Sequence, residues 1–261
     1  LTSGSLIDGK DRLFTDIAYN VDVMDLVNDG YLSPLVAKAM DNEFDLSGIN
    51  TRAGEYKADQ LHKLMDNDAL ARQVLIEILA YGRQRKSWLI FCTGVNHAEK
   101  MAQIIAEHGI TTATITGATP PDVRDTILEL FKSGHIQCLT NCDVLTTGFD
   151  APITDMLVFL RPTQSPGLYV QMCGRGMRLA ENKKDCLVLD FGGNTQRHGP
   201  INALNPPGEQ KAKGSKATPP SRTCPVCKTI MAASCTKCPD CGHRFPRDIT
   251  HDHTASTAAL L

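Results

Sequence analysis

The chain has 261 residues, of which 42% are hydrophobic and 21% charged, and its formal net charge is −2 at pH 7. The length holds one sizeable domain with smaller additions, and the near-neutral balance excludes a globally basic nucleic-acid binder, so any basic surface must be local. No apolar run approaches the ~20 residues of a membrane span, and the first residues lack the basic and apolar regions of a signal peptide. The expectation is a cytoplasmic chain with no membrane partner, and its start at Leu1 reads as a fragment.

The first feature is GSLIDGKD, residues 4–11, which reads G-x-x-x-x-G-K and then has Asp11 where a phosphate-binding P-loop needs Ser or Thr. A P-loop follows a buried strand and opens a helix. Only Leu1, Thr2 and Ser3 precede Gly4, and RLFTDIAYNV after it alternates like a strand, so the stretch reads as a turn. VMDLVNDGYL predicts a short helix ended by Gly30, with Pro34 beyond it. No repeating order of elements is legible across residues 1–62, which read as a connector.

From about Asp66 the pattern becomes regular. ALARQVLIEILAYG places Leu70, Val74 and Ile78 at helical spacing and stops at Gly82. WLIFCT predicts a buried strand, HAEKMAQIIAEHG a helix ending at Gly109, and TTATITG a strand. PPDVRDTILELFKSG predicts a helix with proline at its start and Gly134 after it. IQCLTN, DMLVFLR and CLVLDFGG predict strands, with the short helix SPGLYVQMCG between the last two. Strands that are apolar almost throughout, alternating with helices, predict an α/β fold with a parallel sheet and helices on both faces, over residues 63–197. NPPGEQKAKGSKATPPS lies in a flexible linker, residues 198–222. Residues 248–261 read as a disordered tail.

Two loops carry chemistry, and in such a sheet ligands bind beyond the carboxyl ends of the strands, where both are expected. In VLTTGFDAP, Thr146 and Thr147 offer hydroxyls and N–H groups to a phosphate, Gly148 permits close approach, and Asp150 can accept from a hydroxyl or an arginine. In QMCGRGMR, Arg175 and Arg178 are three apart and share a helix face. Gly174 and Gly176 remove bulk beside them, so that a planar charged ligand can approach. Two convergent guanidiniums suit the charge of a transferring phosphoryl group.

Together these loops resemble the second RecA-like motor domain of superfamily II helicases. LIFCTGVNHAEKMA resembles motif IV, the run through TGFDAP ends in motif V, and QMCGRGMR has the Q-x-x-G-R-x-x-R form of motif VI. The leading segment and the cysteine-rich tail look most like RadD-like (YejH-like) helicases. The resemblance implies a RecA-like fold in which Arg175 and Arg178 are arginine fingers and Gln171 helps to sense nucleotide. It further implies that Gly148 and Asp150 line an ATP cleft and that Thr93, Thr146 and Thr147 touch the nucleic-acid backbone, with DNA the favoured partner. ATP with magnesium would be held jointly with an upstream first RecA-like domain. That domain would supply the P-loop and the D-E-x-H box, both missing here, so this chain alone is expected to be inactive.

Of ten cysteines, Cys92, Cys138, Cys142, Cys173 and Cys186 are scattered through apolar segments, whereas Cys224, Cys227, Cys235, Cys238 and Cys241 crowd into the tail. That usage suits a reducing compartment. Cys224-x-x-Cys227 and Cys238-x-x-Cys241 form two CPxC knuckles, the spacing of a zinc ribbon over residues 223–247, with Gly242 allowing the tight turn and Cys235 or His243 as alternative ligands. Lys228, Lys237, Arg244 and Arg247, with Lys211, Lys213, Lys216 and Arg222 of the linker, outnumber the local acids Glu209, Asp240, Asp248 and Asp252, which favours a docking surface for nucleic acid or a protein. Two other readings stand beside the helicase: a non-catalytic binding module, and a restriction-enzyme translocase subunit.

Overall fold

A computed structural model describes residues 21–145, 150–201 and 220–246. GSLIDGKD, the strand expected after it, Thr146, Thr147, Gly148, most of the linker, Arg247 and the tail lie outside these residues. In chain order the elements are α1 (Val23–Asn28), β1 (Leu35–Lys38), the hairpin β2 (Thr51–Arg52) and β3 (Glu55–Tyr56), α2 (Ala58–Met65) and α3 (Asp68–Gly82). They continue with β4 (Trp88–Phe91), α4 (Val95–Ala106), β5 (Thr112–Ile115), α5 (Pro121–Lys132), β6 (Cys138–Asn141) and β7 (Met156–Phe159). Then come α6 (Pro166–Gly176), β8 (Cys186–Asp190), α7 (Asn194–His198), and the antiparallel pair β9 (Ser221–Thr223) and β10 (Ile230–Ala232).

Six strands form one parallel sheet in the order β1-β8-β7-β4-β6-β5. Side chains alternate across a strand, and here both sides are buried. Trp88, Ile90, Met156, Val158, Leu187 and Leu189 face a core filled by Val74 and Ile78 of α3 and by Met101 and Ile105 of α4. Leu89, Phe91, Leu157, Phe159, Cys186 and Val188 face a second core with Phe131 of α5 and Tyr169 and Met172 of α6. This is the RecA-like arrangement, and it explains why the central strands β4 and β7 are apolar throughout.

The helices begin and end as their sequences dictate. Asn67 caps α3 by accepting from the N–H groups of Ala69 and Leu70 at 3.0 and 3.2 Å. Gly109 and Gly134 follow α4 and α5 with φ of +79° and +80°, values that glycine adopts without steric cost. Gly82 differs: it is the last residue of α3, and a Cβ there would meet Cζ2 of Trp88 at 2.5 Å. Its glycine answers to close packing under a buried indole.

The leading segment contributes more than a sequence without legible elements foretells. β1 pairs in parallel with β8, Leu35 opposite Cys186 through Lys38 opposite Leu189. Glu55 in the β2–β3 hairpin accepts from the Thr163 hydroxyl at 2.6 Å and from the Gln164 N–H at 3.0 Å, strapping the hairpin onto the loop after β7. None of the described helices is long and apolar enough to cross a membrane.

Alanine in place of Gly82 sets two effects against each other. Alanine is the better helix former by ~1 kcal/mol, but the clash falls on a rigid, buried ring. Overpacking of that kind costs ~1–3 kcal/mol, so Gly82→Ala should lower the denaturation midpoint; a raised midpoint would show that the indole gives way.

Candidate functional site

α6 builds the first site. Ser165 caps it by accepting from the Leu168 N–H at 3.2 Å, and Pro166 opens the first turn. Its apolar residues Tyr169, Met172 and Cys173 are buried against the sheet. Gln171, Arg175 and Arg178 are spaced by four and then three residues and are half-buried, so they line one side of the helix end. Burial lowers the pKa of Arg175, as for a guanidinium partly withdrawn from water. The Arg178 guanidinium forms an ion pair with the Asp150 carboxylate. Their side chains are 37% and 65% exposed, and pairs so exposed contribute at most ~1 kcal/mol.

Two expectations need correction. The loops were expected at the carboxyl edge of the sheet, but α6 runs back from that edge, and its arginine end lies at the amino edge. The positions prove it: a Cβ on Gly176 would meet Sγ of Cys186, the first residue of β8, at 2.5 Å and Cδ1 of Leu157, near the start of β7, at 2.9 Å. Ser33, just before β1, donates its N–H to the Met177 carbonyl at 2.7 Å. The same contacts show that Gly176 makes room for the sheet; of the two glycines, only Gly174 has open space around it.

Residues 142–155, which include Asp150, cross from the carboxyl end of β6 to the amino end of β7. An ion pair pins each side of this crossing. Asp143, with φ of +60°, holds Arg161 just beyond β7 at the carboxyl edge, and Asp150 holds Arg178 at the amino edge. Thr146, Thr147 and Gly148 lie outside the described residues.

Thr93 is two residues beyond β4, at the carboxyl edge, away from the arginines. It is buried, and its hydroxyl lies 3.0 Å from Nδ1 of His97. Its carbonyl accepts from Nε2 of His62 on α2 at 2.9 Å. Burial first, then Lys100 and His62, push the pKa of His97 down to about 4. A Cβ on Gly94 would meet Nε2 of His62 at 2.6 Å, so glycine is the residue that admits this contact. His62 was not foreseen, because one histidine on a short amphipathic helix carries no signal of its partner.

The cysteine module forms the second site. One sulfur from each of Cys224, Cys227, Cys238 and Cys241 lies within 4.8 Å of the others. The Cys224–Cys241 and Cys227–Cys238 sulfurs are 3.6 Å apart. Zinc at ~2.3 Å from four tetrahedral sulfurs sets them ~3.8 Å apart, so the donor set fits zinc. The two knuckles repeat one turn: Lys228 donates its N–H to the Cys224 carbonyl at 2.9 Å, and Gly242 to the Cys238 carbonyl at 3.1 Å. Lys228 and Gly242 have φ of +59° and +76°. Cys235 and His243 stand outside the four-sulfur group.

This module is fastened to the sheet at its β1 edge. Lys38 is buried, and its ammonium donates to the Cys227 carbonyl at 2.8 Å, the Thr229 hydroxyl at 2.8 Å and the Asp240 carboxylate at 2.6 Å. An ammonium has three N–H groups, and all three acceptors come from the module. Ala39 donates its N–H to the Lys228 carbonyl at 2.8 Å, and Lys228 pairs with Asp41 at 2.5 Å. The open side of an edge strand is thereby covered.

Residues 70–180 match the family described as helicase conserved C-terminal domain. A candidate ATP-dependent helicase of Saccharomyces cerevisiae, IRC3, is 31% identical over 178 residues, covering 67% of this chain and 26% of that protein. A 51.5 kDa protein of a Lactococcus phage is 26% identical over 244 residues, covering 90% of this chain and 52% of that protein. Among solved structures, a fragment of a candidate HsdR subunit of a type I restriction enzyme from Vibrio vulnificus is similar in fold. Its TM-score is 0.55 at 24% identity, over 72% of this chain and 38% of that one. The chain therefore spans only part of the length of these relatives.

Two outcomes follow from the geometry. His97 titrates at about 4 when folded, against an ordinary 6.5, so between these values the unfolded chain binds more protons. Stability should fall as pH drops through that window, and His97→Gln should flatten the decline in a pH series of melts; an unchanged slope would assign it to other groups. With zinc bound by the four thiolates, chelation should lower the melting midpoint of the sheet as well as unfold the module, because leaving one member of a buried pair unpartnered costs ~3–5 kcal/mol. Lys38→Met, which needs no acceptor, should make that midpoint far less sensitive to chelator; equal sensitivity would sink the coupling.

Proposed function

From the match of residues 70–180 to the helicase conserved C-terminal domain, we propose that the chain is the C-terminal motor half of an ATP-dependent nucleic-acid helicase or translocase of superfamily II. One observation carries this reading: Arg178 is ion-paired with Asp150 just beyond the end of α6, the core-anchored helix whose last turn carries Arg175. A partner RecA-like domain supplies the P-loop and the acidic box, and with them the grip on phosphates and magnesium.

In this reading Arg178 rests on Asp150 through a weak, exposed pair. A triphosphate presents more negative charge than one carboxylate, so it can draw the guanidinium across. Asp150 is then released to accept from a sugar hydroxyl. Arg175 and Arg178 stabilise charge spread over the equatorial oxygens of the transferring phosphoryl group, while Gln171 registers occupancy from the previous turn of α6. Gly148 lines the same cleft. Thr93, at the carboxyl edge, serves the nucleic-acid strand together with Thr146 and Thr147, through contacts that position the strand without reading sequence. DNA is the strand favoured by the resemblance to RadD-like helicases. The crossing segment with Asp150 at one end and Asp143 at the other links the two edges.

The four-thiolate module binds zinc through Cys224, Cys227, Cys238 and Cys241. When bound, zinc supplies folding energy to a piece too small to bury a core of its own. Its exposed Lys237 and Arg244 offer contacts to nucleic acid or a protein partner.

In the full-length protein, Arg175→Ala and Arg178→Ala should each reduce nucleic-acid-stimulated ATP turnover by ~10³-fold or more, with nucleotide binding changed much less. Turnover at the wild-type level in both variants would refute the assignment. Stimulation by RNA but not by DNA of matched length would overturn the DNA preference alone.

A further inference from the structure

Beyond the arginines, one half-buried cation, Lys183, joins the end of α6 to the segment that carries Asp150. Lys183 lies in the turn between α6 and β8, where its own N–H donates to the Ala180 carbonyl at 3.2 Å and Asn182 takes a φ of +63°. Its ammonium donates to the Gly176 carbonyl at 2.8 Å, the Arg178 carbonyl at 2.9 Å and the Pro152 carbonyl at 3.1 Å. Three N–H groups meet three acceptors, all of them backbone.

The identity of the acceptors is what matters. Gly176 ends α6, where the last carbonyls have no partner within the helix. Arg178 is the arginine that pairs with Asp150, and Pro152 follows Asp150 by two residues. A lysine that only capped the helix would have no reason to hold Pro152. We propose that Lys183 is a positioning residue for the arginine lip: it fixes the end of α6 and the Asp150 segment to one point, and so sets where Arg178 can reach. This rests on the helicase reading given above.

The surroundings keep the ammonium in place. Burial lowers the pKa of Lys183, whereas Cys186, Asp155 and Asp185 oppose that shift and Arg85 adds to it. Arg85 is itself tied to Asp185 at 2.5 Å, which leaves Lys183 to the three carbonyls. Its neighbour Lys184 makes none of these contacts among the described residues.

The test is a cycle of variants in the full-length protein, read by nucleic-acid-stimulated ATPase kinetics. Lys183→Met should lower kcat by ~10–100-fold, the scale of a small misplacement of a reacting group, with KM for ATP changed little. In an Arg178→Ala background the same substitution should cost less than about twofold, because residues that act through one another are not additive. An equal loss in both backgrounds would overturn the positioning role and leave a general structural one. If Arg178→Ala itself has no effect, the finger assignment has failed, which is a different result. Should the Met variant fail to fold, Lys183→Gln, uncharged but still a donor, is read in the same cycle.

Discussion

The position of the candidate arginine site follows from burial on both faces of one parallel sheet. Each central strand is packed against helices above and below, with Leu89 and Ile90, or Leu157 and Val158, turned to opposite cores. No polar side chain can work from within such a strand without heavy desolvation. Chemistry is therefore driven to the two ends of the strands, and a segment that must serve both ends has to run the length of the sheet. Residues 142–145 leave the carboxyl end of β6 and residues 150–155 reach the amino end of β7, and the ion pairs of Asp143 and Asp150 mark these two ends.

The same constraint explains what the sequence could tell and what it could not. Apolar runs such as WLIF and MLVF announce buried strands, because both faces demand the same chemistry. LVAK does not: it lies at an edge, is partly exposed, and ends in a lysine. Only the module brought against it makes Lys38 a sensible buried residue. The two cysteine knuckles were legible from spacing alone, since metal geometry is local; their attachment to β1 joins residues nearly two hundred positions apart. Lys183 and Lys184 are indistinguishable as letters, and packing alone selects the first.

The placement of the arginines is the instructive miss. The rule that ligands gather beyond the carboxyl ends of strands describes loops that follow strands directly. Arg175 and Arg178 instead follow a helix, and a helix returning along the sheet delivers its end to the opposite edge. Gly176 permits the close approach to Cys186 and Leu157 that fixes this descent. The motif was readable as chemistry, while its address depended on counting one more reversal of the chain.

Burial sorts the cations of the structure into two kinds. Lys38, which is buried, and Lys183, which is half-buried, each spend three N–H groups on three fixed acceptors. Breaking such an arrangement leaves unsatisfied groups inside the protein, so these lysines act as fasteners with one state. Arg178 has a single, well-hydrated carboxylate partner at the surface, and water can replace that partner at little cost. A group meant to change partners during a cycle must be held weakly in at least one of its states. Lys38 holds the cysteine module to the sheet, Lys183 holds the end of α6 to the Asp150 segment, and in the proposed cycle the weak pair leaves Arg178 able to change partner.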